Sequence, residues 1–385
     1  MEKEFVRLDF YCDSVRDGTH DTPKPTEQGM PLVTSKAIRG GKVFLDECYL
    51  ISQKDFDKIN KRSLVEKWDV LMTMIGTVGR LLLVKDTPHY AIKNIALFKI
   101  GNELKAKWLY YYLLMDSVQN YFEMIANGTS QHFIGLGHMR KLKIPNVTKS
   151  SGKIVEILST YDTLIENNTK RIRLLEKMAE NLYKEWFVRF RFPGHENVEM
   201  ENGLPKGWKR GSLSDVCEFK RGKNITSSEM QEGNVPVISA GLEPSGYHSC
   251  SNVRGVNVTM SSSGANAGYI AIHYSDIWAA DCSYIEESTT GNIYYVYELL
   301  NNIRTVINNF QRGAAQPHVY PKDVNRIKLI LPSNELMLKA NGRLEIMHKE
   351  IYNLQKQNSL LARQRDLLLP RLMSGKLEVK EELLE

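Results

Sequence analysis

Two histidines lie close together in the segment NGTSQHFIGLGHMRKLKIP, which spans residues 127–145. An imidazole can act as a general base or as a metal ligand, so His132 and His138 are the first candidates for chemistry in this chain. A second segment, RGAAQPHVYPKDVNRIKLILP at residues 312–332, is similar but carries one histidine, His318, at a position shifted by one. We therefore interpret these histidines as surface or ligand-facing residues and not as a catalytic pair.

Glutamine is the polar residue that both segments share at one aligned position, as Gln131 and Gln316. Each follows small residues, GTS or GAA, which allow a backbone to approach a phosphate group or the wall of a nucleic-acid groove. The side-chain amide both donates and accepts hydrogen bonds, the combination that recognises the edge of adenine. The alternative is that both glutamines brace a turn at the end of a helix.

Motifs of common enzyme classes are missing from the sequence. It contains no GxxxxGK[ST] phosphate loop, no HExxH or GxSxG site, and no Asn/Asp-Pro-Pro-aromatic tetrapeptide of the kind that adenine methyltransferases carry. GLGHMR at residues 135–140 lacks the third glycine of GxGxxG and follows a helical pattern, where that fingerprint needs a strand. The five cysteines are about thirty residues apart or more, which argues against a CxxC metal site and a disulfide framework. We predict no catalytic residue, no metal site and no cofactor bound to this chain.

The two glutamine segments belong to a longer internal repeat. LDFYCDSVRDG at 8–18 aligns with LSDVCEFKRG at 213–222, and DVLMTMIG at 69–76 aligns with NVTMSSSG at 257–264. The separation between aligned residues falls from 205 to 188 and then to 185 or 186, so the second copy is shorter by about seventeen residues between the first two landmarks. The repeat predicts two similar structural units.

Helical periodicity occurs at matching places in both copies. Apolar residues recur at helical spacing from Trp108 to Ile125, and the later ones align with a stripe that ends at Phe310. We predict one helix here in each copy, with Gly128 or Gly313 just beyond its end. The aromatic residues of these helices are interpreted as core residues.

Two longer apolar seams follow the repeated units. Steps of four and three run without a break from Ile154 to Trp186, which is the heptad pattern of a coiled coil. Adding 186 to each position produces a second seam from Ala340 to Leu372. Such seams need a partner in water, so we predict that the two helices pack on each other. A helix of this length spans about 50 Å.

Asparagines interrupt the two seams and suggest the direction of packing. In an antiparallel pair with aligned ends, Asn168 faces Asn358. A hydrogen bond between the two amides would set the helix register and the antiparallel orientation, as buried asparagines do in coiled coils. The alternative is that each asparagine is a tolerated, partly hydrated residue.

Length and charge constrain the function more loosely. A chain of 385 residues is long enough for two domains, and its net charge of +6 is compatible with a polyanionic partner. Basic residues are concentrated in GLPKGWKRGSLSDVCEFKRGK at 203–223, which is either a phosphate-binding loop or a solvated one. The charged start of the sequence and the lack of a long unbroken apolar run predict a cytoplasmic protein.

In the order of its parts, the chain resembles the specificity subunit of Type I restriction-modification systems. The resemblance rests on DGTHDTPKP (17–25), LYKEWFVRF (182–190), the basic segment at 203–223 and LLLPRLMSGKL (367–377), and on their order. Together with the seams, it implies an α+β fold. Two pseudo-repeated, mixed α/β target recognition domains, residues 1–150 and 191–333, are separated by two long helices, 151–190 and 334–378, packed as an antiparallel coiled coil.

The same resemblance implies a function without catalysis by this chain. Each domain would recognise one half of a bipartite, asymmetric target in double-stranded DNA. The helices would set the spacer and dock two modification (methyltransferase) subunits, and restriction (endonuclease/translocase) subunits would join where they are present. S-adenosylmethionine, ATP and Mg²⁺ are then expected on these partner subunits, in a prokaryotic cytoplasm. Two rival functions stay open: a self-sufficient DNA-modifying enzyme, and a coiled-coil scaffold that binds no DNA.

Candidate DNA-binding residues come from loops that are basic, small or rich in hydrogen-bonding groups, and from the family-like DGTHDTPK loop. Each is also compatible with a solvent-facing turn. They are Thr19, His20, Lys24, Ser35, Lys36, Ser130, Gln131, Lys220, Arg221, Lys223, Ser263, Asn266, Arg312 and Gln316.

Overall fold

The computed structural model of this protein describes residues 4–126, 132–313 and 316–379. These residues form two compact units. The first unit contains the described residues up to Leu164 together with those from Leu360 onwards, and the second is continuous from Ile165 to Ser359. Among the described helices, none is both long enough and apolar enough to cross a membrane.

The first unit begins with short strands and helices that alternate along the chain. Its strands are β1 (Phe5–Arg7), β2 (Ser14–Asp17), β3 (Met30–Val33), β4 (Ile38–Arg39), β5 (Lys42–Val43), β6 (Leu50–Ile51), β7 (Val70–Thr73), β8 (Leu81–Leu83), β9 (Ala91–Ile92), β10 (Ile95–Lys99) and β11 (Lys143–Pro145). Its helices are α1 (Leu8–Tyr11), α2 (Gln53–Ser63), α3 (Glu103–Leu113), α4 (Asp116–Ile125) and α5 (Leu136–Lys141). The long helix α6 (Ser151–Tyr183) follows, and a π-helical turn at Lys184–Val188 ends it.

The second unit repeats this arrangement. Its strands are β12 (Met200–Glu201), β13 (Leu204–Pro205), β14 (Lys209–Ser212), β15 (Lys220–Arg221), β16 (Val235–Ile238), β17 (Gly246–His248), β18 (Asn257–Ser261), β19 (Ile270–His273), β20 (Trp278–Ala279), β21 (Cys282–Glu286) and β22 (Lys328–Leu331). Its helices are α7 (Glu287–Thr290), α8 (Ile293–Asn302), α9 (Arg304–Asn308) and α10 (Pro321–Val324), and the long helix α11 (Asn334–Ser374) follows.

Sheet topology confirms the predicted repeat. The four-stranded sheet β2-β10-β7-β8 of the first unit corresponds to β15-β21-β18-β19 of the second. The three-stranded sheets β6-β3-β9 and β17-β16-β20 also correspond, and each contains one parallel pair. The antiparallel pairs β1-β11 and β14-β22 are a third match. Strands β7 and β18 are buried at every residue, which explains why both are short apolar or small-residue runs without alternation.

The helix expected over residues 108–125 is wrong in one respect, because the structure has two helices there. The chain is extended at Met115, between α3 and α4, and the Gln119 amide donates a 2.6 Å hydrogen bond to the carbonyl of Leu113. The second unit has a matching break between α8 and α9. Both helices of each pair bury residues in the same core, so the apolar spacing hides the break.

Segments of the two long helices pack together inside each unit. In the first unit, Leu158 of α6 and Leu369 and Leu372 of α11 belong to one core. In the second unit, Ala179 of α6 and Leu344 of α11 share a core. Helix α6 begins at the predicted position but ends at Tyr183, and α11 ends at Ser374.

The seam asparagines do not bond to each other as expected. Asn168 Nδ2 donates to Gln357 Oε1 at 3.3 Å, and Asn358 Nδ2 lies 3.5 Å from Thr169 Oγ1. Each amide therefore meets the neighbour of its predicted partner. Asn358 Oδ1 is buried and has no hydrogen-bond partner within the described part of the chain. The role of both asparagines in setting the helix register stays a prediction.

Candidate nucleic-acid interface

One pair of loops has the same hydrogen bond in both units. In the first unit, Gly76 N after β7 donates to the carbonyl of His132 at 2.9 Å; in the second, Gly264 N after β18 donates to that of Pro317 at 3.0 Å. We call residues 74–79 with 132–134 the first loop pair, and residues 261–268 with 316–319 the second loop pair. Gly76 and Gly264 have φ values of +79° and +73°, which favour glycine over residues with a Cβ.

Ser263 links the second loop pair to the basic strand β15. Its side chain is buried, and its Oγ donates to Asp281 Oδ2 at 2.6 Å. The other carboxylate oxygen of Asp281 lies 3.8 Å from Arg221 Nη2. Two predicted residues from separate segments, Arg221 and Ser263, are thus brought together by Asp281.

Arg312 and Gln316 lie on the exposed side of the second loop pair. Arg312 and His318 exchange two backbone hydrogen bonds, of 2.9 and 2.8 Å, and the Arg312 guanidinium contacts Asp323 Oδ2 at 2.9 Å. The Gln316 side chain is exposed. Both side chains are accessible to a ligand, and DNA contact by Arg312 and Gln316 stays a prediction.

Asn266 faces the protein and not the solvent. Its Nδ2 lies 3.4 Å from the carbonyl of Ala240, which also accepts a 3.0 Å hydrogen bond from Ser261 Oγ. The adjacent strands carry a partly buried hydrogen-bonded pair, Thr259 Oγ1 and His273 Nε2, at 2.8 Å. Burial lowers the pKa of His273 to about 4, so its imidazole is neutral near pH 7. The second loop pair therefore lies beside polar side chains that hydrogen-bond within the protein.

The remaining basic candidates of the second unit are exposed. Lys220 lies with Arg221 on β15, an edge strand of its sheet. Lys223 follows with its backbone held on both sides: its N–H donates to Ala279, and its carbonyl accepts from the Trp278 indole at 2.9 Å. A fixed backbone that carries exposed ammonium groups suits contact with phosphates.

The corresponding loop of the first unit is neutralised internally. His20 lies between the buried Asp17, 2.8 Å from Nε2, and Asn94 Oδ1, 2.8 Å from Nδ1. Arg62 adds a 2.5 Å contact to Asp17. Thr19 is held by a backbone hydrogen bond and accepts one from Asp21 N through Oγ1. His20 and Thr19 therefore stabilise the loop through these hydrogen bonds.

Two further candidates of the first unit approach the first loop pair. Ser35 and Lys36 lie in a 3₁₀ turn, and Ser35 Oγ would be 3.9 Å from a Cβ placed on Gly76. Lys36 and Lys24 are exposed. Ser130 and Gln131, predicted from the GTSQ segment, lie outside the described residues.

Comparison with known proteins bears directly on this repeated architecture. The family model described as "Type I restriction modification DNA specificity domain" matches residues 18–177 and 205–357, which is most of the chain in two copies. The chain belongs to this specificity family. The two matches fall on the two copies of the repeat and include both loop pairs.

Specificity-family relatives match over most of their own length. The Type I restriction enzyme MjaIX specificity subunit of Methanocaldococcus jannaschii is 25% identical over 343 residues, covering 82% of this chain and 79% of the relative. The HindI specificity subunit of Haemophilus influenzae is 22% identical over 429 residues, covering 86% of this chain and 91% of the relative. The crystal structure of a Type I restriction-modification S subunit from M. genitalium has a TM-score of 0.59 at 20% identity, covering 97% of this chain and 96% of that one, and supports the fold.

Sequence reasoning missed the acidic partners in these specificity-family loops. Strand register places Asp281 where the first unit has Asn94, and Arg221 where it has Asp17. The acid of this pair of positions is therefore on the outer strand in the first unit, as Asp17, and just before the neighbouring strand in the second unit, as Asp281. The signal lies in the sequence itself, because a residue-by-residue alignment of the repeat through β10 and β21 shows this difference.

The described residues contain no group of three His, Cys, Asp or Glu side chains that is arranged to hold a metal ion. His138 is exposed on α5, and His132 contributes its backbone carbonyl to the first loop pair.

Proposed function

We propose that this chain is the DNA-recognising specificity subunit of a Type I restriction-modification complex, and that each unit recognises one half of a bipartite, asymmetric target. The observation that carries the proposal is that both units have the same loop-pair framework but different polar chemistry on it. A common framework with unlike side chains suits two related ligands with different sequences. Base edges supply such differences, whereas the phosphate backbone does not.

The second unit offers the better-defined surface for one half-site. Lys220, Arg221 and Lys223 supply exposed positive charge, and Asp281 links Arg221 to the second loop pair. Such side chains fix the position of a protein on DNA through phosphates. Gln316 of the loop pair and Arg312, which is bonded to His318 of that pair, are exposed and have the types that recognise adenine and guanine edges in the major groove.

The first unit presents a less basic surface at the same place. Asp17 binds both Arg62 and His20, so this loop uses positive charge internally. Lys24, Lys36 and Ser35 are the described residues that supply hydrogen-bonding groups there, and Gln131 and Ser130 extend the set in the proposal. We infer that the two half-sites differ in sequence, because the two surfaces differ in charge.

The long helices are proposed to pack as an antiparallel coiled coil that sets the spacer between the half-sites. Contacts inside the second unit support this orientation. Asn168 of α6 donates to Gln357 of α11 at 3.3 Å, and Arg171 of α6 binds Glu350 of α11 at 2.7 Å. The residue number thus rises from 168 to 171 along α6 while the partner number on α11 falls from 357 to 350. A falling partner number is the signature of antiparallel pairing.

Catalysis is assigned to partners in this proposal. Two modification subunits dock on the helices and carry S-adenosylmethionine, and restriction subunits, where present, carry ATP and Mg²⁺. The chain itself acts without a cofactor, in the cytoplasm where DNA and these subunits meet. The family and the missing enzyme motifs in the sequence support this division of labour.

A methylation map tests the proposal. DNA from cells that express this chain with its cognate modification subunit is compared with DNA from cells that lack only this chain. We expect a methylated motif in two parts with a fixed gap, and exchange of residues 1–150 for those of a relative should change one part only. A complex that assembles without any such motif would favour the scaffold function. Methylation by the purified chain alone would favour an enzyme.

A further inference from the structure

A cluster of polar side chains ties the recognition part of the first unit to its long-helix segments. Tyr111 of α3 is buried, and its OH donates to Asp162 Oδ2 of α6 at 2.6 Å. Asp162 Oδ1 accepts from Arg365 of α11 at 2.5 Å. Burial and then the negative charge of Asp162 raise the pKa of Tyr111, which keeps its hydroxyl a donor.

A different cluster occupies the same place in the second unit. His348 of α11 is 2% exposed and has Glu298 Oε1 of α8 3.2 Å from Nε2 and Tyr274 OH 2.9 Å from Nδ1. The Tyr294 ring stacks on the imidazole, with ring centroids 5.3 Å apart. A second acid, Glu176 of α6, is close enough for electrostatic coupling to His348 and Glu298.

The two clusters are equivalent in the repeat but opposite in chemistry. The helix offset of 186 places Asp162 on His348, and Arg365 on Ala179. Tyr111 of α3 and Glu298 of α8 each contact this position of the long helix from the recognition part of their own unit. The first unit thus pairs an aspartate with a tyrosine hydroxyl, whereas the second pairs a histidine with a glutamate.

Docking of the wrong recognition part would leave both clusters unsatisfied. The second unit's recognition part would place Glu298 beside Asp162, so that a second acid would share Arg365 at a site where α3 now contributes the Tyr111 hydroxyl. The first unit's recognition part would leave His348 without an acid from the recognition helix. A buried polar group that loses its hydrogen-bond partner is destabilising, whereas each correct cluster is hydrogen-bonded.

We propose that the two clusters form a matching code which lets each recognition part pack only on its own pair of long-helix segments. One wrong pairing brings two acids together, and the other leaves His348 without the acid of its recognition helix. These two penalties favour the correct pairing, so the correct pairing does not need stronger apolar contacts. The inference is independent of DNA binding. It gives a physical reason why two similar halves keep a defined order.

Substitution at His348 tests the code in the full chain. His348→Asp places the carboxylate of the first unit's code beside Glu298, and His348→Asn is the control of the same shape without the charge. We expect His348→Asp to raise the unfolding equilibrium constant of the second unit at least about tenfold more than His348→Asn. Amide hydrogen exchange over α8 and α11 would measure it locally.

Glu298→Leu supplies the decisive comparison, because leucine removes the acid that contacts His348. With His348 present it should destabilise the second unit, and with His348→Asp it should stabilise it. Equal effects in both backgrounds would overturn the proposal, as would equal losses for His348→Asp and His348→Asn. If His348→Asp does not fold, folding of the double variant supports the code. Failure of the double variant while His348→Asn folds contradicts it.

Discussion

Replacing Asn358 with leucine should stabilise the second unit, although the residue lies in a predicted polar contact. Its Oδ1 is buried without a partner among the described residues, and such a carbonyl costs about 1–3 kcal/mol. The substitution also gives up a contact between Nδ2 and Thr169 Oγ1, but at 3.5 Å this hydrogen bond is long and weak. We therefore expect a net gain of about 1–2 kcal/mol in the free energy of unfolding, roughly five- to thirtyfold in the equilibrium constant.

Asn168→Leu is the matched control in the same seam. Asn168 is also buried, but its amide donates a shorter hydrogen bond of 3.3 Å to Gln357. Its replacement should gain less, or lose stability. Urea unfolding with hydrogen exchange over 165–183 and 334–359 would measure both variants. An Asn358→Leu chain that is no more stable than the Asn168→Leu chain would refute the reasoning. Cysteine pairs placed across the seam should crosslink in more than one register only when both asparagines are replaced.

Three other outcomes are expected. If the Arg312 guanidinium contacts a phosphate, Arg312→Gln should weaken DNA binding and reduce the slope of log affinity against log salt concentration by about one. If it contacts a base edge, the variant should lose discrimination at one base pair and keep the slope. Binding titrations at several salt concentrations separate the two outcomes. Tyr111→Phe should destabilise the first unit by about 1.5 kcal/mol, because the Tyr111 hydroxyl donates to a carboxylate. Tyr112→Phe should cost less, because the Tyr112 hydroxyl donates to a backbone carbonyl at 3.0 Å. Equal losses of unfolding free energy in urea would contradict this. Burial lowers the pKa of His273 to about 4, so the folded second unit binds fewer protons than the unfolded chain between about pH 4 and 6.5. The free energy of unfolding should therefore not depend on this histidine's protonation above pH 6.5 and should fall as the pH drops from 6.5 to 4. His273→Gln should flatten this part of the curve of unfolding free energy against pH, and parallel curves for the two proteins would show that the histidine does not contribute.

The sequence predicted features that depend on residue spacing. The repeat and the long helices follow from apolar positions that recur at fixed intervals, and the structure has both. The break between α3 and α4 was hidden, because Val118 and Phe122 bury in the same core as Trp108 and keep the spacing regular. Periodicity reports which side chains are buried and does not report a change of direction between two helices.

Polar partners were harder to predict than buried positions. His20 was predicted to face DNA, but its partners Asp17 and Asn94 come from different parts of the chain, and only strand register brings them together. Asn168 and Asn358 were predicted to bond to each other, but their amides contact Gln357 and Thr169 instead. Base-contacting residues remain a prediction, because loops of this composition also suit ordinary surface turns.

The chain segments that form the two units determine the order in which the units can fold during synthesis. The second unit is continuous from Ile165 to Ser359, so all of its core is available once that stretch has left the ribosome. The first unit begins earlier but needs Leu369 and Leu372, which are synthesised about two hundred residues after Leu158. Its nascent form must therefore keep Ile154 and Leu158 uncovered while the second unit is translated. The unit that starts first is expected to finish last, and it is the one most exposed to chaperones and proteases during synthesis.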